Sequence, residues 1–394
     1  MLDYLLDVLN IPANEIVVVC NRNDRGVNSW QRSLRYTAKH RGVSECLLED
    51  AYDVPQLLFL SLEFDRIVKP ELFASERLYN LHFSLLPKYK GMYTAAMPIL
   101  NDESESGVTL HEIHHGIDTG DIVRQSRFAL EPDDTSRDLY LKCIEAGTRL
   151  VEDSLPDLLA APGKVTAFPQ PPEHSSYYSK SAIDYENVSI DLRRTAQEVR
   201  NQVRAFNFRE YQIPIIFGHK IVFCEMTKNH STGKPGSIIF ELGDRLVVST
   251  VDYDVVLFFD RFDDVMAYCR DGDLQALMGV RGLSRYVNEK DGRGWTPLMV
   301  AVYNGWRAVA ELLISEGANP HEVNKNGTSL LMYAKDAFVR TGDSSLFNMV
   351  VERGVDPDRP DYSGKSLSDY CAEQGLRKVG NYIIDESGLL PMRA

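Results

Sequence analysis

The chain has 394 residues, 44% of them hydrophobic and 25% charged, with a formal net charge of −14. That length exceeds what one hydrophobic core usually serves, so two or three domains are expected, and the composition excludes a disordered chain. The acidic balance argues against a nucleic-acid partner, which draws on clustered Lys and Arg; an anionic small ligand needs only a few cations and backbone N–H groups and stays open.

The first residues, MLDYLLDVLN, carry Asp3 and Asp7, lack a basic start and have no small-residue cleavage site, so no secretory signal is expected. No apolar run approaches the length of a bilayer span, which points to a cytoplasmic protein without a membrane partner. Cys20, Cys46, Cys143, Cys224, Cys269 and Cys371 are scattered without CxxC spacing and read as reduced, buried thiols.

In chain order, EIVVVC from residue 15 and LLFLSL at 57–62 are short, apolar and strand-like, with a helical stretch from Ser33 to His40 between them. Strands alternating with helix-length segments predict a parallel α/β sheet whose ligand groups lie beyond the carboxyl ends of its strands. Residues 107–115, GVTLHEIHH, alternate like a half-buried strand, and DDTSRDLYLKCIEAGTRLVEDSL supplies a helix with Asp134 or Thr135 as N-cap. The proline-rich PGKVTAFPQPPEH at 162–174 reads as a linker. IIFGHKIVFCEM and RLVVSTVDYDVVLFF, with Gly at the turns, predict a small β-rich domain. The expected organisation is a catalytic domain over 1–165, a β-rich domain over 175–260 and a third module over 262–394.

That last module carries its own signal. Gly294 and Gly327 head similar segments, GWTPLMVA and GTSLLMYA, 33 residues apart, and Gly364 heads GKSLSDYCA 37 further on. Gly317 and Gly354, in ISEGANP and VERGVDP, are also 37 apart, so one four-residue insertion accounts for both spacings. The segment resembles ankyrin repeats, an all-α architecture, with GDLQALMGVRGLSRYVNEKD as a degenerate capping repeat.

The chemistry concentrates in NLHFSLLPKYKG. Asn80 and His82 stand two apart at the end of a predicted strand, so both address one face. Asn offers an N–H donor and His a base near neutral pH. Asp118, in HHGIDTGD, lies beyond the next strand and supplies a carboxylate for the imidazole. His111, His114 and His115 invite a metal reading, but a strand sends the last two to opposite faces, so they are expected to be structural or solvent-facing, with no metal.

These segments resemble the folate-dependent formyltransferases, whose hallmark is N-x-H followed by SLLPxYxG, then a G-V-T strand and an LDTG-like loop. Asn80, His82 and Asp118 fall on the three catalytic positions. The resemblance runs on into SIDLRRTAQEVRNQVRAFNF and implies a Rossmann-like formyltransferase domain followed by a small β-barrel-like domain. It also implies 10-formyltetrahydrofolate as cosubstrate, with folate contacts left open in the loops near Leu85 and Asp118.

KGMYTAAMP, where other branches have Arg and RGxxP, resembles the branch acting on dTDP-linked amino-dideoxyhexoses and points to Lys90, Met92 and Tyr93 as substrate contacts. The implied activity is formylation of such a sugar, 3-amino-3,6-dideoxyglucose before the 4-amino isomer, for lipopolysaccharide O-antigen synthesis, by a homodimer. The rival reading is a degenerate formyltransferase fold serving as an ankyrin scaffold, and the joint presence of Asn80, His82 and Asp118 speaks against it. Within the repeats, Trp306 and Tyr303 form an aromatic pair at helical spacing, most simply packing and alternatively a second ligand site.

Overall fold

A computed structural model describes residues 1–379, 382–385 and 388–391. The chain divides into two compact units, Met1–Asn23 with Gly42–Asp260, and Asp24–Arg41 with Arg261–Ala394.

The first unit is built on a four-stranded sheet. Leu78–His82 lies parallel to Phe59–Leu62 on one side and antiparallel to Glu105–Glu112 on the other, and Ile122–Ala129 continues the sheet antiparallel. The sheet is therefore mixed rather than parallel throughout: the connection from residue 113 to 121 is a short turn, and only antiparallel partners can be joined that briefly. Val17–Val18 and Ser44–Glu45 form a separate parallel pair. The strand expected to be half-buried, Glu105–Glu112, is buried on both faces beyond its first residue.

The side-chain period of two sorts Leu78–His82 and its continuation. Tyr79, Leu81 and Phe83 join the core under the helix Ser136–Ala160, whose Leu139, Cys143, Leu150, Val151, Leu155 and Leu158 are buried against the sheet. Each such leucine contributes about 1.5–3 kcal/mol by leaving water. Thr135 caps that helix, its hydroxyl accepting from the N–H of Asp138 while the Asp138 carboxylate takes the N–H of Thr135. Asn80 and His82 face the other way, free of the core.

After the long helix the proline-rich stretch is not a slack linker. Val165 N–H donates to the Tyr79 hydroxyl, and Phe168 makes an antiparallel bridge with Ile122. Proline removes donors and stiffens the backbone but leaves the N–H groups between prolines free to dock.

The following helix, Ala196–Ala205, lies on a five-stranded antiparallel sheet in the order Ile238–Leu242, Arg245–Val248, Tyr253–Phe259, His219–His230, Ile215–Ile216. The sheet is open, with two edges, rather than closed into a barrel. The two sheets belong to one compact unit.

The second unit holds the repeats. Helices Pro297–Asn304 and Arg307–Ser315 form one pair, Leu330–Thr341 and Ser345–Glu352 the next, and Leu367–Glu373 opens a third. Gly294, Gly327 and Gly364 all have left-handed backbone, φ 79°, 81° and 87°, as a repeated turn requires. The helix Leu330–Thr341 has 12 residues where its counterpart Pro297–Asn304 has 8, which places the four-residue insertion there. Phe262–Asp271 and Leu274–Met278 precede the repeats. Beyond Leu367–Glu373 the chain forms short antiparallel strands, Lys378–Val379, Tyr382–Asp385 and Gly388–Pro391, in place of a partner helix. The expected module ran to 394; residues 380–381, 386–387 and 392–394 of it lie outside the described residues.

The helix Leu34–His40, capped by Ser33, also belongs to this unit: the Tyr36 hydroxyl donates to the Tyr362 carbonyl at 3.3 Å, and the Arg32 guanidinium lies 4.4 Å over the Tyr362 ring. Ending the chain at Asp260 is expected to leave the two sheets of the first unit folded while Asp24–Arg41 becomes a protease-sensitive loop. Limited proteolysis with circular dichroism checks this, and aggregation of the shortened chain would contradict it.

Candidate active site

Asn80, His82, Asp118 and His111 converge on the face of the sheet away from the long helix. Asn80 and His82 come from the last residues of Leu78–His82, and the antiparallel register sets His111 directly opposite Asn80 and Thr109 opposite His82. Asp118 arrives on the turn after Glu105–Glu112, with its side chain 11% exposed.

The hydrogen bonds fix which atom carries each proton. His82 Nε2 lies 2.8 Å from the Tyr89 carbonyl, and a carbonyl only accepts, so Nε2 bears the hydrogen and Nδ1 the lone pair. Nδ1 faces Asp118 Oδ2 at 3.5 Å, longer than a hydrogen bond. The ring is therefore oriented by the Tyr89 carbonyl, and Asp118 acts on it through charge.

His111 Nδ1 lies 2.7 Å from the Glu112 carbonyl, so its Nε2 is the acceptor for Asn80 Nδ2 at 3.1 Å. That bond settles the Asn80 amide orientation and leaves its second N–H for a ligand. Asp118 Oδ2 accepts from the N–H of Gly91 at 2.8 Å, and Oδ1 stands 3.6 Å from His111 Nε2.

Burial lowers the His82 imidazole below its ordinary value of 6.5, against the opposing pull of the Asp118 charge and the Tyr89 carbonyl, with His111 adding to the lowering. Burial raises the Asp118 carboxyl, but His111, His82 and the Gly91 N–H outweigh it and hold the group below its usual range. At neutral pH the site thus presents a neutral imidazole with a free lone pair beside a carboxylate, and an amide N–H two residues before it on the same strand face. A base and a preorganised donor so arranged can deprotonate an amine and stabilise an oxyanion.

The sequence expectation treated His111 as structural or solvent-facing; it is 2% exposed and lines the site. Alternation in VTLHE puts Thr109 and His111 on one face, but only the antiparallel register shows that Asn80 and His82 share it. His114 pairs with Glu112 at 3.1 Å and His115 with Glu71 at 3.2 Å, both beyond the strand's last residue.

Lys90 Nζ lies 3.2 Å from Ser175 Oγ and Met92 is 44% exposed. The Tyr93 hydroxyl donates to the carbonyls of Lys180 and Ile183, so it holds the following segment. Leu85 packs its side chain against Gly107 of the neighbouring strand. In the repeats, Trp306 Nε1 donates to the Arg270 carbonyl and its ring packs on Gly272, while Tyr303 sits with Trp295, Tyr333 and the Arg340 guanidinium. The two aromatic residues face different neighbours.

Residues 58–155 match the formyl transferase family and residues 265–361 match ankyrin repeats in three copies. The N-formyltransferase from Helicobacter canadensis, solved in complex with folinic acid and dTDP-3-aminofucose, is 40% identical and superposes with a TM-score of 0.60, covering 66% of this chain and 94% of its own. WlaRD, a sugar 3N-formyl transferase solved with dTDP and 5-N-formyl-THF, is 38% identical with the same TM-score, covering 66% of this chain and 92% of its own. The chain belongs to the folate-dependent sugar N-formyltransferases and carries ankyrin repeats C-terminal to that unit. Methionyl-tRNA formyltransferase from Burkholderia pseudomallei is 32% identical over 177 residues, and the chain spans about half the length, 53%, of that curated relative.

His82→Ala is expected to lower turnover by about two to four powers of ten with folding retained, as steady-state kinetics and thermal melting would record. Because a base works only unprotonated and His82 is depressed, kcat/KM should stay level below neutrality and fall only as pH drops through a value under 6.5. His111→Phe should lower kcat about tenfold with little change in KM, since it frees the amide that develops its bond in the transition state.

Proposed function

We propose that this chain transfers a formyl group from 10-formyltetrahydrofolate to the amine of a dTDP-linked 3-amino-dideoxyhexose. The observation that carries this reading is the convergence of Asn80, His82 and Asp118 with their protons assigned: a base lone pair at His82 Nδ1 and a free N–H at Asn80. The 3-amino choice is supported by the two solved relatives, whose ligand and name are a 3-amino sugar and a 3N activity.

The folate supplies an activated formyl carbon. The sugar ammonium first releases one proton to solvent; His82 Nδ1 then takes a second from the nitrogen as it attacks, and Asp118, at 3.5 Å, stabilises the resulting imidazolium. Negative charge collects on the former formyl oxygen, where the second Asn80 N–H meets it; such a donor is worth about 3 kcal/mol. When the bond from carbon to folate nitrogen breaks, the proton held by His82 returns to that leaving nitrogen. Atoms and charge balance with no metal.

The product, an N-formylated sugar nucleotide, fits surface polysaccharide synthesis, and both substrates are cytoplasmic metabolites; no helix among the described residues is long and apolar enough to cross a membrane. A transfer-RNA acceptor is opposed by the net charge of −14. We also place a homodimer contact on the edge strand Ile238–Leu242, every residue of which is exposed, including Ile238, Ile239, Phe240 and Leu242.

A panel of dTDP-3-amino and dTDP-4-amino dideoxyhexoses, each incubated with 10-formyltetrahydrofolate and read by mass spectrometry, is expected to show formylation of the 3-amino sugars. Formylation confined to 4-amino sugars would overturn the regiochemistry, and formylation of none would return the chain to the scaffold reading. Light scattering should give a dimer for the native chain and a monomer for Phe240→Asp.

A further inference from the structure

The extended segment between the long helix and the five-stranded sheet touches both loops that deliver the catalytic groups. Its bridge between Phe168 and Ile122, with N–H to carbonyl distances of 2.9 and 2.7 Å, sets its position along the sheet. Two residues on, Gln170 Nε2 donates to the carbonyls of Asp118 and Gly120, each at 2.8 Å. Both partners only accept, so the nitrogen of the amide has to face them.

The other end of that amide, Gln170 Oε1, is then turned inward, buried and without a hydrogen-bond partner among the described residues. An unpaired buried acceptor is unfavourable. Gln170 is held in that position because its nitrogen secures two carbonyls of the catalytic turn. The turn needs securing: Asp118 has φ +53°, a left-handed backbone that a residue with a side chain rarely adopts unaided.

The same segment then reaches the second loop. Ser176 Oγ accepts from the N–H of Tyr89 at 2.8 Å, its carbonyl accepts from the N–H of Lys90, and the Tyr178 carbonyl accepts from the N–H of Met92. Gly91 lies so close beneath that a Cβ there would collide with the Tyr178 carbonyl oxygen. Tyr89 is the residue whose own carbonyl orients His82. One extended strap thus fixes both neighbours of the imidazole, Asp118 through Gln170 and the Tyr89 carbonyl through Ser176.

We propose that Gln170 is a positioning residue for formyl transfer, holding the Asp118 turn so that its carboxylate stands in fixed relation to His82, an inference that rests on the transferase reading above. The groups facing His82 are Asp118 from the turn, His111 from the adjacent strand and the neutral Tyr89 carbonyl. Of these, the Asp118 carboxylate is the charged group that raises the His82 pKa. Freeing the turn weakens that influence and sends the imidazole titration to lower pH.

The test uses the full chain labelled at histidine, as native protein, Gln170→Glu and Gln170→Ala. The glutamate variant is nearly isosteric and, ionised, has no hydrogen to give either carbonyl. Expected for both variants are a fall in kcat of about 10- to 100-fold, KM within about threefold and retained helix and strand signal, and for Gln170→Ala, which adds no charge of its own, a His82 resonance titrating below its native pH. Native kcat with native His82 titration would overturn the proposal, as would a lower kcat with His82 titrating unchanged. If the native chain formylates no amino sugar, the transferase reading fails while the His82 titration still decides the role of Gln170.

Discussion

The register of Leu78–His82 is the constraint on which the site depends. This strand is paired on both edges, parallel to one neighbour and antiparallel to the other, so its backbone cannot slip without breaking two ladders at once. A shift of one residue would exchange faces, carrying Tyr79, Leu81 and Phe83 out of the core and Asn80 and His82 into it. The apolar surface under the long helix therefore aims two polar side chains it never touches. The same pairing places His111 and Thr109 across from them, so half of the polar cluster is set by the order of strands.

Around that strand, backbone carbonyls rather than side chains dictate protonation. Glu112 and Tyr89 each present a carbonyl to one nitrogen of a histidine, and because a carbonyl can only accept, each imidazole is left with its lone pair on the opposite side. One lone pair goes to Asn80, the other to the space beside Asp118. The three-residue logic of base, orienter and donor is thereby distributed over six groups, the side chains of Asn80, His82, His111 and Asp118 and two main-chain carbonyls.

How much of this the sequence disclosed follows the range of the interactions. Local chemistry was legible: the alternation that put Asn80 and His82 together, the Thr135 cap, the left-handed turn glycines that mark the repeats. Asp118 stood out as a carboxylate beyond the next strand, and the likeness to formyltransferases put it on a catalytic position. What escaped depended on pairings distant in the chain. The antiparallel turn of Glu105–Glu112 is invisible in a stretch that reads equally well as a parallel strand, and with it went the place of His111. The proline-rich segment looked like a solvated linker because composition records missing donors and not where the remaining N–H groups dock. The four-residue insertion was countable from spacing, but only the longer helix Leu330–Thr341 shows where it lies.

The assignment of Asp24–Arg41 to the repeat-bearing unit has a consequence for how such a chain can change over generations. A module attached only at one end can be gained or lost by a single genetic junction, and the remainder is indifferent. Here the backbone leaves the first unit at Asn23, contributes a helix to the second, and returns at Gly42, long before the final departure at Asp260. Loss of the repeats would strand a helix that keeps its own Ser33 cap but loses the Tyr36 and Arg32 contacts to Tyr362. The excursion ties the two units together in sequence, so descendants are expected to keep both or to rebuild that N-terminal segment when they discard the repeats.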